Sequence, residues 1–381
     1  MAYTKVKPLM VTSFPSSRLT GAFGAISGAN LTGLGDGIDT KSASNDPAID
    51  TNPSEGVGHV WLNKSSGEMF VCTDATTGEN VWVNVGGGSG DVEPWKFQGT
   101  VSGYTAGSYA PDSNVIDKFS MVSDANATDV GDLTQTRGSV SGQTSETHGY
   151  TCGGAGGPTY FNIIDKYSYS ANGNATDVGD LLSVCYDPAG QSSTTHGYSS
   201  GGDAPPVKNQ IQKFTYSSNA NATDVADMTI SRFGHSGQSS STHGYNAGGS
   251  TGSSSNVIDK FTFDSNANAT DVGDLTESKR YVAGQSSTTH GYVTGGHIAS
   301  ADKIEKFSFA SNGNSSDIGN LVGGNSYGGT GQSSTTNGYD SAGYTGGYKT
   351  AIDKFSFSTD GNATDAGDLT VARYRGAGSQ Y

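Results

Sequence analysis

The side chains best suited to chemistry in this chain recur at a fixed interval. Histidines stand at His148, His196, His243 and His290, each inside "THGY", with Asn337 in the same setting in "TNGY". Imidazole is the side chain that most readily moves protons or binds metal near neutral pH. Oxygen ligands are equally regular: "DANATDVGD" (residues 124–132) alternates Asp, Asn and Thr as a calcium loop would, and equivalents follow, among them residues 172–180. Three cysteines, Cys72, Cys152 and Cys185, show no metal-type spacing and no nucleophile motif, and read as small buried residues.

Each feature also has a plainer account. Equivalent histidines on successive repeats are carried apart and cannot easily converge on one metal, and their exchange for Asn fits a turn position in the left-handed or bridge region. The acidic loops lack the closing glutamate of an EF-hand, and a turn between strands favours Asn, Asp and Gly through local side-chain bonds. Calcium stays as the alternative there; no other cofactor is expected, and no catalytic or metal-ligating residue is assigned. The Asn-Ala-Thr triplets at Asn126, Asn174, Asn221, Asn268 and Asn362 occupy the same turn and are read as turn chemistry before glycosylation.

The elements that position these residues follow from the interval itself. "IDKF" or a near copy places lysines at Lys118, Lys166, Lys213, Lys260, Lys306 and Lys354, in steps of 48, 47, 47, 46 and 48. A unit of this length, made of short β-type runs between glycine clusters, matches a four-stranded propeller blade. In the unit beginning at Arg280, "RYVAGQSST" gives the first strand, "YVTGG" the second, "IEKFSF" the third and "SSDIGNLV" the fourth. The small residues of "GQSST" suit the crowded centre of a ring. The first unit starts at "VSGYTAG" without such a strand, whereas "ARYRGAGSQY" at the C-terminus is such a strand with nothing after it. Joining the two removes an exposed edge. The expected fold is all-β: a six-bladed propeller over residues 98–381, closed by the C-terminal strand.

Ahead of it, residues 1–56 are too polar to bury a core and read as an extended attachment arm. Residues 57–85 give three alternating runs, "HVWLN", "EMFVCTD" and "NVWVNVG", with Trp61, Phe70 and Trp82 on one face, a small three-stranded β-meander. Residues 86–97, opening on "GGGSGDVEP", read as a flexible linker. The net charge of -15 and the scarcity of Lys and Arg argue against a nucleic-acid partner. Neither an apolar run long enough to insert in a membrane nor a signal-peptide core is visible.

The stretch "RYVAGQSSTTHGYVTGG" (residues 280–296) resembles the kelch repeat, with "ATDVGDL" where kelch repeats carry a late tryptophan. The units as wholes are similar to repeats in structural proteins of marine tailed phages, cyanophages included, and residues 57–85 resemble short modules of phage fibre and appendage proteins. The resemblance implies a virion protein assembled in a host cytoplasm, without enzymatic activity: a tail fibre or appendage component. Residues 1–85 would dock onto other virion proteins, and the kelch-like propeller would recognise a host cell-surface glycan or protein. A capsid-decorating or tail-assembly protein without a receptor, and a glycan-active enzyme, are the alternatives. Homo-oligomerisation is compatible with this class, although no heptad pattern specifies it.

The segments after each "GY..GG" vary freely within a nearly copied frame, which makes them the expected ligand surface. Tyr109, Tyr160, Phe161, Lys208, His297, Tyr344 and Tyr348 are the candidates, because rigid aromatic rings stack on sugars and dominate recognition. Overall negative charge further implies weak adsorption to an anionic cell envelope at low salt, helped by divalent cations.

Overall fold

A computed structural model describes residues 40–85, 96–297, 302–323 and 327–381, in two compact units, Met1–Trp95 and Lys96–Tyr381. Strands, turns and bends make up all the described structure.

The three runs expected in the first unit are the antiparallel strands Val60–Asn63, Met69–Asp74 and Val81–Asn84. Their period-two pattern buries Trp61, Phe70, Cys72 and Trp82 together, with the two indoles edge to face at 6.0 Å. A fourth strand, Thr40–Ala43, pairs in parallel with Val60–Asn63. It lies within the segment expected to be an extended arm, so the sheet is mixed and the arm expectation is corrected for residues 40–56. The correction has a physical reason. Val60–Asn63 would otherwise present an unpaired edge, and residues 45–52 satisfy buried donors: Trp61 Nε1 donates to the Asn45 carbonyl at 2.8 Å, and Asn80 Nδ2 to that of Ile49 at 2.7 Å. Residues 1–39 of the arm and 86–95 of the linker lie outside the described residues.

The second unit contains six four-stranded antiparallel sheets. In one, the innermost strand Ser141–Thr144 is followed outward by His148–Cys152, Ile163–Ser168 and Thr176–Asp180. The unit read from Arg280 has the same order, with strands Ala283–Ser286, His290–Thr294, Lys303–Ser308 and Ser316–Asn320; each overlaps the run assigned to it, the second beginning two residues earlier, at His290, and the third one earlier, at Lys303. The C-terminal strand Ala377–Gln380 pairs with Ser102–Tyr109, so both ends of the second unit complete one sheet.

Adjacent innermost strands touch in a closed cycle, and the glycine of "GQ" explains how closely. A Cβ on Gly142 would stand 2.1 Å from the Gly378 carbonyl oxygen; Gly190 meets Gly142, Gly237 meets Gly190, Gly284 meets Gly237, Gly331 meets Gly284 and Gly378 meets Gly331, all at 2.4 Å or less. Only glycine fits such a backbone approach. The following residue links the strands: the amide of Thr144 donates to Ser192 Oγ, Ser192 to Ser239, Ser239 to Ser286, Ser286 to Ser333, Ser333 to Gln380 Oε1 and Gln380 back to Thr144 Oγ1. "GQSS" is thus repeated because every copy touches the next.

The "NATD" turns form an outer cycle. Asn174 Oδ1 accepts from the Asp132 amide of the preceding sheet, Asn221 from Asp180, Asn268 from Asp227, Asn314 from Asp274, Asn362 from Asn320 and Asn126 from Asp368. These amides would otherwise lack a partner at a sheet-to-sheet joint.

Candidate functional site

With the frame saturated by contacts between copies, the positions that differ between copies define the candidate site. Just before each innermost strand the chain turns through a left-handed residue: Ser139, Asp187, Gly234, Tyr281, Gly328 and Arg375 have φ of 54°, 53°, 61°, 56°, 67° and 55°. A left-handed backbone is unfavourable for a tyrosine or arginine, and here a third cycle holds it. The amide of Ser139 donates to the Arg375 carbonyl, Asp187 to Ser139, Gly234 to Asp187, Tyr281 to Gly234, Gly328 to Tyr281 and Arg375 to Gly328, at 2.6–2.9 Å.

Around this cycle large and small residues alternate. Asp187, Tyr281 and Arg375 occupy every second place and meet: Arg375 Nη1 donates to Asp187 Oδ2 at 2.9 Å, and the Arg375 guanidinium lies 3.6 Å from the centre of the Tyr281 ring. Glycine makes room at two of the remaining places. A Cβ on Gly234 would meet the Tyr281 ring at 2.7 Å, and one on Gly328 the Tyr374 ring at 2.0 Å. Burial raises the Asp187 carboxyl above its ordinary range despite the opposing Arg375 charge. Burial also disfavours the Arg375 cation, but Asp187, Tyr374 and Tyr281 outweigh it and hold its pKa up. All six turn residues line one cavity of about 70 Å³, together with Val140, Pro188, His235, Val282, Gly329 and Gly376.

One residue earlier stand Gly138, Tyr186, Phe233, Arg280, Tyr327 and Tyr374, four aromatic residues and an arginine among six. Backbone bridges tie four of these positions to the variable loops, Gly138 to Ala155, Tyr186 to Asp203, Phe233 to Ser250 and Tyr327 to Tyr344, so collar and loops share one face. Ring contacts run on through the collar. Tyr160 stacks on Tyr186 at 4.9 Å, Tyr186 approaches Phe233 at 6.4 Å and Phe233 approaches Tyr281 at 6.2 Å. His297 stands edge-on to Tyr281 and Tyr327, and Tyr327 adjoins Tyr344 and Tyr374. Tyr344 and Tyr348 adjoin each other at 5.3 Å, and Arg375 reaches over Tyr109 at 5.6 Å.

Of the residues named from sequence, His297, Tyr344 and Tyr348 are thus brought together, with Tyr160 and Tyr109 at the two ends of the series. Tyr109, Tyr160 and Tyr348 are about 40% exposed. Phe161 is half-buried and no ring contact joins it to the series. Lys208 is tied to its own neighbourhood, donating to Ser183 Oγ and, at 2.9 Å, to the Val184 carbonyl. Sequence reasoning missed Tyr186, Asp187, Phe233, Arg280, Tyr281, Tyr327, Tyr374 and Arg375. Their signal is positional: counting back three and four residues from the glycine of each "GQ" (of "GS" in the last copy) finds a bulky residue in most copies.

No family model matches the chain, and no curated protein matches it significantly.

The repeated histidines lie at the opposite end of the strands, and their expected conformation is corrected. They are the first residues of extended strands, and none has positive φ. The Asn exchange has another cause. Thr147 Oγ1 bonds His148 Nδ1 at 2.7 Å, and Thr336 Oγ1 donates to Asn337 Oδ1 at 2.9 Å, so either side chain satisfies the preceding threonine. Burial and the nearby lysines lower the pKa of His148, His196 and His290. Among the described residues, no three His, Cys, Asp or Glu side chains are gathered as a metal ion requires. Asn126 Oδ1 and Asp129 Oδ1 in the acidic loop already accept backbone amides. Cys72, Cys152 and Cys185 are buried free thiols, as their spacing implied.

Proposed function

We propose that residues 98–381 form a six-bladed, kelch-like β-propeller, and that the chain is a virion structural protein of a tailed phage, a tail fibre or appendage component. It docks through its N-terminal part and presents the collar face to a glycan or protein on the host surface. The observation that carries this reading is the division of labour among the copies. The innermost glycines and hydroxyl residues and the turn asparagines repeated in the copies are consumed in contacts between sheets, whereas the unrepeated aromatic and arginine residues lie on one face, as in rigid recognition surfaces. The three closed cycles support the propeller, because an open row of sheets leaves its terminal donors unmatched. The wording of the repeats supports the virion assignment.

Immunogold electron microscopy of purified particles, with antibody against residues 98–381, tests the reading. Label on the tail or its fibres is expected. Label over the capsid would turn it to decoration, and unlabelled particles would overturn it.

A further inference from the structure

The described arginines differ in one respect. Arg137, Arg232, Arg373 and Arg375 are each ion-paired with a carboxylate, whereas Arg280 makes no ion pair among the described residues. Its Nε is buried without a hydrogen-bond partner, and the side chain is only half-buried. It occupies a collar position that four other copies fill with an aromatic ring. Arg280 and Arg375 lie 5.4 and 3.6 Å from the centre of the same ring, that of Tyr281. Asp187 answers Arg375. Asp203, another acid of the collar face, accepts the Tyr186 hydroxyl at 2.8 Å. Arg280 is therefore a guanidinium with no carboxylate bonded to it among the described residues, in a chain whose net charge is -15.

We infer that the collar beside Arg280 is a binding site for an acidic saccharide, with Arg280 receiving the carboxylate or sulfate and the neighbouring rings stacking on the sugar. A guanidinium fork matches these planar or tripodal oxyanions and can engage two oxygens at once. His297, whose amide bonds the Arg280 carbonyl at 2.7 Å, and Tyr327 stand beside it, and Tyr344 and Tyr348 continue the aromatic surface. Rings supply contact area and the cation discriminates, because a neutral sugar leaves the guanidinium unanswered. The inference rests on the host-surface reading and narrows its ligand.

Isothermal titration of the full chain with hexagalacturonate, a sulfated galactan hexasaccharide and neutral maltohexaose tests it, alongside adsorption of the labelled chain to host cells. At least one acidic hexamer should bind tenfold or more tighter than maltohexaose, and which one does so separates carboxylate from sulfate. Arg280→Gln should bring that affinity down to the neutral level with an unchanged melting temperature. Arg280→Lys should fall between, and Tyr348→Ala should weaken all hexamers that bind. Equal binding of acidic and neutral hexamers, or full acidic binding by Arg280→Gln, overturns the inference. If Arg280→Gln does not fold, the acidic-to-neutral ratio of the unaltered chain decides. Cell adsorption without binding of any hexamer overturns this inference alone, and loss of both overturns the host-surface reading with it.

Discussion

At the scale of single residues, the innermost glycines carry the tightest constraint. Gly237→Ala would place a methyl 2.1 Å from the Gly190 carbonyl oxygen and 2.8 Å from Gln191 Nε2, and should cost about 3 kcal/mol. Gly173→Ala meets nothing within 4 Å and should change stability by less than about 0.5 kcal/mol. Urea titrations of the two variants check the contrast, and equal effects would refute the packing argument. A second residue-scale effect concerns Asp340 and Asp353, which face each other across a strand pair. Burial pushes the Asp340 carboxyl up to about 7, Asp353 adding to the effect while the Thr294 hydroxyl and Lys349 oppose it, and burial takes Asp353 to about 6. The folded chain therefore holds these protons more tightly than the unfolded chain, whose carboxyls titrate near 4. Their contribution to stability is fully present below about pH 4 and is lost as pH rises through about 6 and 7. Asp340→Asn should stabilise the protein at pH 8 by roughly 1–3 kcal/mol, since every tenfold tightening of a proton on folding corresponds to about 1.4 kcal/mol, and should add little at pH 4.5. Melts across that range would show otherwise if the gain were independent of pH.

At the scale of the element, four of the six sheets contain a buried ion pair built from the segment just before the innermost strand and from the third strand. Arg137 with Asp165, Arg232 with Asp259, Lys279 with Glu305 and Arg373 with Asp117 are all fully buried. Where the acid becomes Gln212, the equivalent cation becomes buried Cys185, and Gln212 Oε1 accepts the Leu182 amide at 2.7 Å. In that sheet acid and cation are both replaced, whereas the remaining sheet keeps a buried acid, Asp353, at the equivalent place, and the cation's place, position 326, lies outside the described residues. Arg232→Cys alone should cost about 3–5 kcal/mol by leaving Asp259 buried and unanswered. Adding Asp259→Gln should recover much of that loss, because the chain already folds one sheet this way, and a double-mutant cycle measures the coupling. Such pairs were not legible in the sequence, although the period, the four strands of each unit and the shared closing sheet were. Landmarks such as "IDKF" and "GQSS" are fixed in residue type because each copy makes the same contact. The pair partners and the collar vary in type at fixed places, so only register reveals them, as with Arg280 against Tyr327. Thr40–Ala43 escaped for a different reason: its "TKSA" is mostly polar and exposed, and it joins the sheet chiefly through backbone pairing, with Lys41 over the Trp61 ring and Ala43 against the core.

At the scale of the whole second unit, the three hydrogen-bond cycles share one dependence: all pass through the sheet completed by both ends of that unit. Arg375 closes the turn cycle, Gln380 the innermost-strand cycle, and Asn126, from the first copy, closes the outer cycle against Asp368 of the last. The Tyr381 carbonyl adds a further tie, accepting the amides of Thr100, Val101 and Ser102. Deleting residues 375–381 would open the first two cycles, uncover the edge of Ser102–Tyr109 and remove Arg375 from Tyr281 and Asp187. An uncovered edge strand recruits other chains, even where buried clusters such as Tyr104, Ile116 and Leu133 with Tyr167 and Tyr169 still join neighbouring sheets. The shortened chain should therefore elute as aggregates in size-exclusion chromatography and lose its single unfolding transition. A synthetic peptide spanning residues 373–381 supplies the missing strand and should restore the monomeric peak when present during refolding. A peptide of the same composition in scrambled order should not, because its glycine would no longer face Gly331. A monomeric truncated chain with an unchanged melting temperature would mean that closure adds nothing beyond the contacts within each sheet.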